Sequence, residues 1–137
     1  MSMDLQWMVL RNCSSYLVKK RNIKKFFSMD PLNLKNVHSP RYCGQIHKKA
    51  MAVEPHPSGK GVMLLYKKNK YQNRPARNIA RVPLTKGARR TMTTTKKFVR
   101  SNRYRRDLKM ASLRRASAIL RSQRPITPKR SLRKKPE

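Results

Sequence analysis

Glu54-Pro55-His56-Pro57-Ser58-Gly59-Lys60-Gly61 followed by Val62-Met63-Leu64-Leu65-Tyr66 is the stretch on which the reading of the fold turns. The first eight residues are turn formers, and the five after them are the most strand-like run in the chain. Before the turn, Tyr42 to Val53 has mixed strand character, with Ile46, Met51 and Val53 as inward residues. Two apolar runs around a Gly/Pro-rich connection predict a hairpin with a longer loop. Gly59-Lys60-Gly61 looks like a fragment of a phosphate loop, but it precedes a strand instead of opening a helix, so it reads as a turn.

Upstream of the hairpin, Tyr16-Leu17-Val18 predicts a strand ending in Lys19-Lys20-Arg21. Phe26-Phe27 starts a second strand that Asp30-Pro31 breaks. The N-terminus predicts a short helix capped by Asp4, with Leu5, Met8 and Val9 on one apolar face, Trp7 flanking it and Asn12 to Ser15 as the stop. Downstream, residues 67–83 are basic and interrupted by Pro75 and Pro83, which predicts a linker lying along a partner. Helical spacing returns with Thr85 as cap and Ala88, Met92, Thr95 and Val99 on one face. Asp107 caps, or favourably charges, the start of a stronger helix running to about Arg121, with Leu108, Ala116 and Ile119 inward, Leu113 and Leu120 widening that face, and Arg114, Ser117 and Arg121 outward. After Ser122 the pattern fails. The expected architecture is α+β: one domain over 1–124, with an antiparallel sheet over about 16–66, the linker, and helices over about 86–121. An extended basic tail occupies 125–137.

Thirty-six Lys and Arg face five acids, giving a net charge of +31 over 137 residues. Such an excess repels itself and calls for a polyanion, and nucleic acid supplies the densest one. Membrane binders confine their charge to one helix face or one block. Here cations run from Arg11 to Lys135, which favours nucleic acid over a membrane. Nothing approaches the roughly 20 apolar residues of a membrane span. Hydrophobic residues make up 37% of the chain, so a small core is expected, with part of the ordering energy supplied by the partner. Cys13 and Cys43 are isolated, which favours free thiols in a reducing compartment over one disulfide.

Catalysis finds no footing in this composition. The five acids lie far apart in the sequence and give no evident acid/base pair. Cys43 and His47 form a C-x-x-x-H fragment with no second pair, so a zinc site lacks ligands. No cofactor, metal or small-molecule substrate is expected. The cation clusters are the candidate RNA-binding site: Arg89, Arg90, Arg103, Arg105, Arg106, Arg114, Arg115 and Arg121, then Lys129, Arg130, Arg133, Lys134 and Lys135 in the tail. Residues 86–137 hold 19 of the 36 cations. Arginine's planar fork suits phosphate oxygens and stacks on bases. Tyr71 and Tyr104 lie among these cations, where a tyrosine either stacks on exposed bases or packs at the edge of the core. The tail cluster equally fits a nuclear localisation signal.

Three segments carry a family likeness. Leu5-Gln6-Trp7-Met8-Val9-Leu10-Arg11-Asn12-Cys13-Ser14-Ser15, Tyr104-Arg105-Arg106-Asp107-Leu108 and Arg114-Arg115-Ala116-Ser117-Ala118-Ile119-Leu120-Arg121-Ser122-Gln123 resemble the eukaryotic large-subunit ribosomal protein twenty-eight family. Phe27 to Leu34, Tyr42 to His47 and Val53-Glu54-Pro55 fit in order between them, so the likeness spans roughly residues 3–124. Met29-Asp30 departs from the threonine and glutamate expected there, and Cys43 from a small polar residue. The resemblance implies a structural constituent of the cytosolic large ribosomal subunit. Its implied partners are large-subunit ribosomal RNA and neighbouring large-subunit ribosomal proteins, and it would pass through the nucleolus during assembly. The alternatives at this stage are a nucleolar large-subunit assembly factor and a general DNA-compacting protein.

Overall fold

The computed structural model describes residues 2–125, so the tail expected over 125–137 lies almost wholly outside the described residues. The quoted hairpin is the centre of the structure. Strand β3 (Met51–Pro55) pairs antiparallel with β4 (Val62–Lys67), Met51 opposite Tyr66 and Val53 opposite Leu64. Gly59 and Gly61 take φ of 72° and 91° in the connection, the region that favours glycine. A Cβ on Gly61 would also come within 2.7 Å of the Leu84 carbonyl oxygen.

The residues of β4 alternate between two cores. Val62, Leu64 and Tyr66 pack with Met51, Val53, Val99, Leu108 and Ala116, whereas Met63 and Leu65 pack with Leu32, Ala50, Ala52 and Ile79. A strand covered on both faces reads as a continuous apolar run, which is why this segment stood out.

The basic segment 67–83 is not the linker its composition predicts. A helical turn over Asn69–Tyr71 and a four-residue helix α2 (Pro75–Asn78) lead into β5 (Ile79–Leu84). This strand pairs antiparallel with β4, giving the order β3-β4-β5. Pro83 does not interrupt the strand. It sits opposite Met63 on an edge strand, where its missing N–H leaves no central ladder bond unmade. Val82 and Leu84 pack on the first core and Ile79 on the second.

Helix α3 (Ala88–Ser101) packs Thr91, Thr95 and Val99 inward. The threonines are tolerated because Thr91 Oγ1 donates to the Gly87 carbonyl and Thr95 Oγ1 to the Thr91 carbonyl, both at 2.9 Å, so no hydroxyl is stranded. Gly87, with φ 63°, stands at its N-cap in place of the expected Thr85, and Ala88 is exposed. Helix α4 (Lys109–Ser122) buries Ser112, Leu113 and Ala116 and half-buries Ile119 and Leu120. Arg114, Ser117 and Arg121 are exposed, as the spacing predicts. Burying a side chain such as Leu113 contributes about 1.5–3 kcal/mol. Asp107 does not cap this helix. It lies in the preceding turn, Arg106–Leu108.

The expected single sheet over 16–66 is two sheets. Strands β1 (Leu17–Val18) and β2 (Phe27–Ser28) form a separate two-stranded ribbon. Tyr42 to Ala50 is loop and turn, although Ile46 is buried as predicted, with Met51 and Val53 in β3. Helix α1 (Met3–Leu10) is capped by Ser2, whose hydroxyl accepts from the Asp4 N–H, and none of its residues is buried. Leu5, Met8 and Val9 are 58%, 62% and 63% exposed. The apolar face of the spacing argument therefore exists, but it turns to solvent. Trp7 stacks on His38 at 4.8 Å, and His38 Nε2 lies 2.8 Å from the Arg11 carbonyl, which ties the helix down.

Candidate nucleic-acid interface

Three polar clamps fix the framework that presents the cations. In the first, buried Asp30 accepts the N–H of Leu32 at 3.0 Å and of Gly44 at 2.6 Å. Lys67 Nζ donates to the carbonyls of Gly44 at 2.6 Å and His47 at 3.1 Å. Gly44 is thus held at both its amide and its carbonyl, between the Asp30 loop and β4. A Cβ there would meet Leu32 Cβ at 2.5 Å and Asp30 Oδ2 at 2.9 Å, so only glycine fits. Burial holds the Lys67 ammonium below its ordinary pKa, opposed by the attraction of Asp30.

The second clamp is Tyr104. Its hydroxyl lies 2.9 Å from both the Ala50 and Lys67 carbonyls and shares its proton between them, closing the open end of the β3–β4 hairpin. Its ring lies against Phe98 and Tyr66, with centroids 5.3 and 6.0 Å away. Burial pushes the phenol up to about 12. Of the two roles open to Tyr104, the structure assigns packing in the core. Tyr71 is half-buried, with Lys68 Nζ 5.7 Å from its ring centroid.

The third clamp joins Gln123 to the hairpin turn. Its side-chain amide donates to the Gly61 carbonyl and accepts the Gly61 N–H, both at 2.8 Å, so the end of α4 is tied to the β3–β4 connection. Cys13 and Cys43 are free thiols, the first exposed and the second buried.

Against this framework the predicted residues separate. Arg89, Arg90, Arg103, Arg106, Arg114 and Arg121 are exposed, and Arg115 is half-buried. Arg105 is turned inward. Its side chain is 13% exposed, donates from Nε and Nη2 to the two Asp107 oxygens at 3.0 and 2.8 Å, and reaches the Arg41 and Lys49 carbonyls. Four donor contacts inside the protein leave little for a phosphate, so Arg105 is an internal staple, and its guanidinium holds the Asp107 carboxyl below the usual range. Lys129, Arg130, Arg133, Lys134 and Lys135 lie outside the described residues.

Two further groups of cations emerge from the fold. On α3, Arg89, Lys96 and Arg100 fall on one line, with Arg90 and Lys97 beside it, on the arc opposite Thr91, Thr95 and Val99. Helical spacing alone would have found Lys96, Lys97 and Arg100. The β1–β2 connection exposes Lys19, Lys20, Arg21, Lys24 and Lys25 in one tight excursion. That grouping required knowing that β1 and β2 pair. Arg103 and Arg105 adopt φ of 44° and 36° between α3 and α4, a conformation costly for a residue with a Cβ. The turn delivers Tyr104 into the core between them and leaves Arg103 exposed.

The family model for the ribosomal L28e protein family matches residues 5–122. The chain is 37% identical over 123 residues to a Caenorhabditis elegans protein named large ribosomal subunit protein eL28, covering 90% of this chain and 91% of that one. To the protein of the same name from Schizosaccharomyces pombe it is 35% identical over 127 residues, covering 90% and 94%.

Proposed function

The chain belongs to the ribosomal L28e protein family, and from that premise we propose that it is a structural constituent of the large ribosomal subunit and not an enzyme. The observation that carries this reading is the near end-to-end match to relatives that bear the subunit's name. A folded body with cations on its outer faces and almost no acid among them is what binding to a phosphate-dense RNA requires. The protein associates with the ribosome, its large-subunit RNA and the neighbouring large-subunit proteins, and it supports translation in the cytoplasm.

Within that reading the RNA contacts are Arg89, Arg90, Arg103, Arg106, Arg114, Arg115 and Arg121, joined by Lys96, Lys97 and Arg100 on α3. The basic residues Lys129, Arg130, Arg133, Lys134 and Lys135 extend the contact along the RNA, and nucleolar passage precedes incorporation. The domain of about 124 residues acts as the docked body and the segment after it as an arm. The assembly-factor alternative is not favoured, because the relatives are named as subunit proteins.

Sucrose-gradient fractionation tests the proposal. The tagged protein is expected in large subunits and polysomes and should persist through moderate salt washes. Recovery only in pre-ribosomal fractions, or cross-linking mainly to DNA, would sink it.

A further inference from the structure

Beneath α1 lies an open cleft of about 840 Å³ that belongs neither to the α3 arc nor to the β1–β2 cluster. Its volume is in the range of small-molecule sites, roughly 300–1,000 Å³. The helix contributes Met3 and Gln6 as a wall, the largely buried Ile46 also lines the cleft, and Arg41, Lys48 and Lys49 bring cations to it. The one acid present, Asp107, is already taken by Arg105. The cleft therefore combines apolar surface, a few polar groups and unbalanced positive charge.

We propose that this cleft receives a single unpaired nucleotide of the RNA, its base against Met3 and Ile46 and its phosphate on Arg41, Lys48 or Lys49. This deepens the ribosomal reading and rests on it. Three features point to a nucleotide over a phosphate alone or a protein chain. A bare phosphate needs no apolar wall, whereas a base extruded from a loop does, because it must leave water and its own stack. Polar groups able to read a base edge are at hand in the Gln6 amide and in His47. The His47 Nε2 lies 2.8 Å from the Pro40 carbonyl, which makes it the protonated nitrogen and leaves Nδ1 as an acceptor. Burial lowers the His47 pKa, and the neighbouring Arg105 and Lys67 add to that against the Pro40 hydrogen bond and Asp107, which favours the neutral ring. Finally, the cations outnumber the acid, which favours a phosphate-bearing ligand and disfavours a basic peptide.

The wall also stands outside both cores. Helix α1 buries none of its residues and is fastened through Trp7 and the Arg11 carbonyl to His38. It can shift to admit a planar base without breaking the cores.

Two measurements on the full-length protein test the assignment. In equilibrium binding to large-subunit RNA across a salt series, the double variant Met3→Ala/Gln6→Ala should bind roughly tenfold more weakly with an unchanged salt slope, because it removes contact with the base and no charge. Lys48→Ala should instead make the slope shallower by about one. Thermal melts should show that all variants keep the fold, since Ala is the strongest helix former in α1 and Lys48 is an exposed loop residue. Photo-cross-linking in intact large subunits should leave a nucleobase adduct on residues 41–49 or on α1. Wild-type affinity for the double variant, or cross-links from this segment to protein only, would overturn the inference. If the wild-type protein failed to enter large subunits at all, the ribosomal reading itself would fall.

Discussion

Replacing Tyr104 by Phe isolates the contribution of one hydroxyl. The ring contacts with Phe98 and Tyr66 remain, and the Ala50 carbonyl still accepts the Lys67 N–H at 3.0 Å. What is lost is the partner of the Lys67 carbonyl, at the point where the hairpin opens beneath α3 and α4. A buried acceptor left unpaired costs about 1–3 kcal/mol. For a domain of this size that corresponds to a melting temperature lower by about 3–10 °C. The pH dependence gives a second, independent reading. The folded phenol titrates at about 12 against an ordinary value of 10.0, so its folded pKa is raised. Its contribution is therefore complete below pH 10 and is lost as pH rises from 10 towards 12. Two units correspond to about 3 kcal/mol. Urea unfolding monitored by circular dichroism, in parallel for wild type and Tyr104→Phe, should show a stability gap near neutral pH that narrows steadily above pH 10. A near-ultraviolet absorbance titration should lose its latest-ionising tyrosine in the variant. Equal melting temperatures together with an unchanged titration would refute the clamp.

Other substitutions probe the remaining joints. Gly44→Ala forces a Cβ into Leu32 and Asp30 and should cost about 1–3 kcal/mol in thermal unfolding; a neutral result would mean that the two loops do not meet there. Gln123→Ala removes both hydrogen bonds to Gly61, so a loss of about 1–2 kcal/mol and faster amide exchange at the end of α4 are expected. Arg103→Gly relieves a φ of 44°, and its melting temperature should equal or exceed that of wild type while its salt slope for RNA becomes shallower by about one. A clear drop in melting temperature would show that the Arg103 side chain supports the fold.

The α+β class, the hairpin and the outward placement of Arg114 and Arg121 were legible because each rests on local spacing. Misreadings arose where a residue's partner lay elsewhere in the chain. Pro75 and Pro83 read as breaks, yet Pro83 sits in a strand, because whether a missing N–H matters depends on which side of the sheet is free. The α1 face of Leu5, Met8 and Val9 has correct periodicity, but periodicity states which residues align and not which way they turn. Arg105 has the same type and neighbours as Arg103 and Arg106. Asp107, two residues on, pairs with it locally, and the tertiary approach of the Arg41 and Lys49 carbonyls completes its diversion from the surface. In the same way Tyr104 could be placed among cations by sequence, but its burial depended on the turn that drives it under the hairpin.

Among the described residues Arg105–Asp107 is the single side-chain ion pair; the other joints are hydrogen bonds to backbone amides and carbonyls, made by Asp30, Lys67, Tyr104 and Gln123. Salt therefore has little attraction inside the body to weaken, while it screens the mutual repulsion of a +31 chain. The same ions that loosen its hold on RNA should firm up the free protein. Folding and docking thus respond to ionic strength in opposite directions.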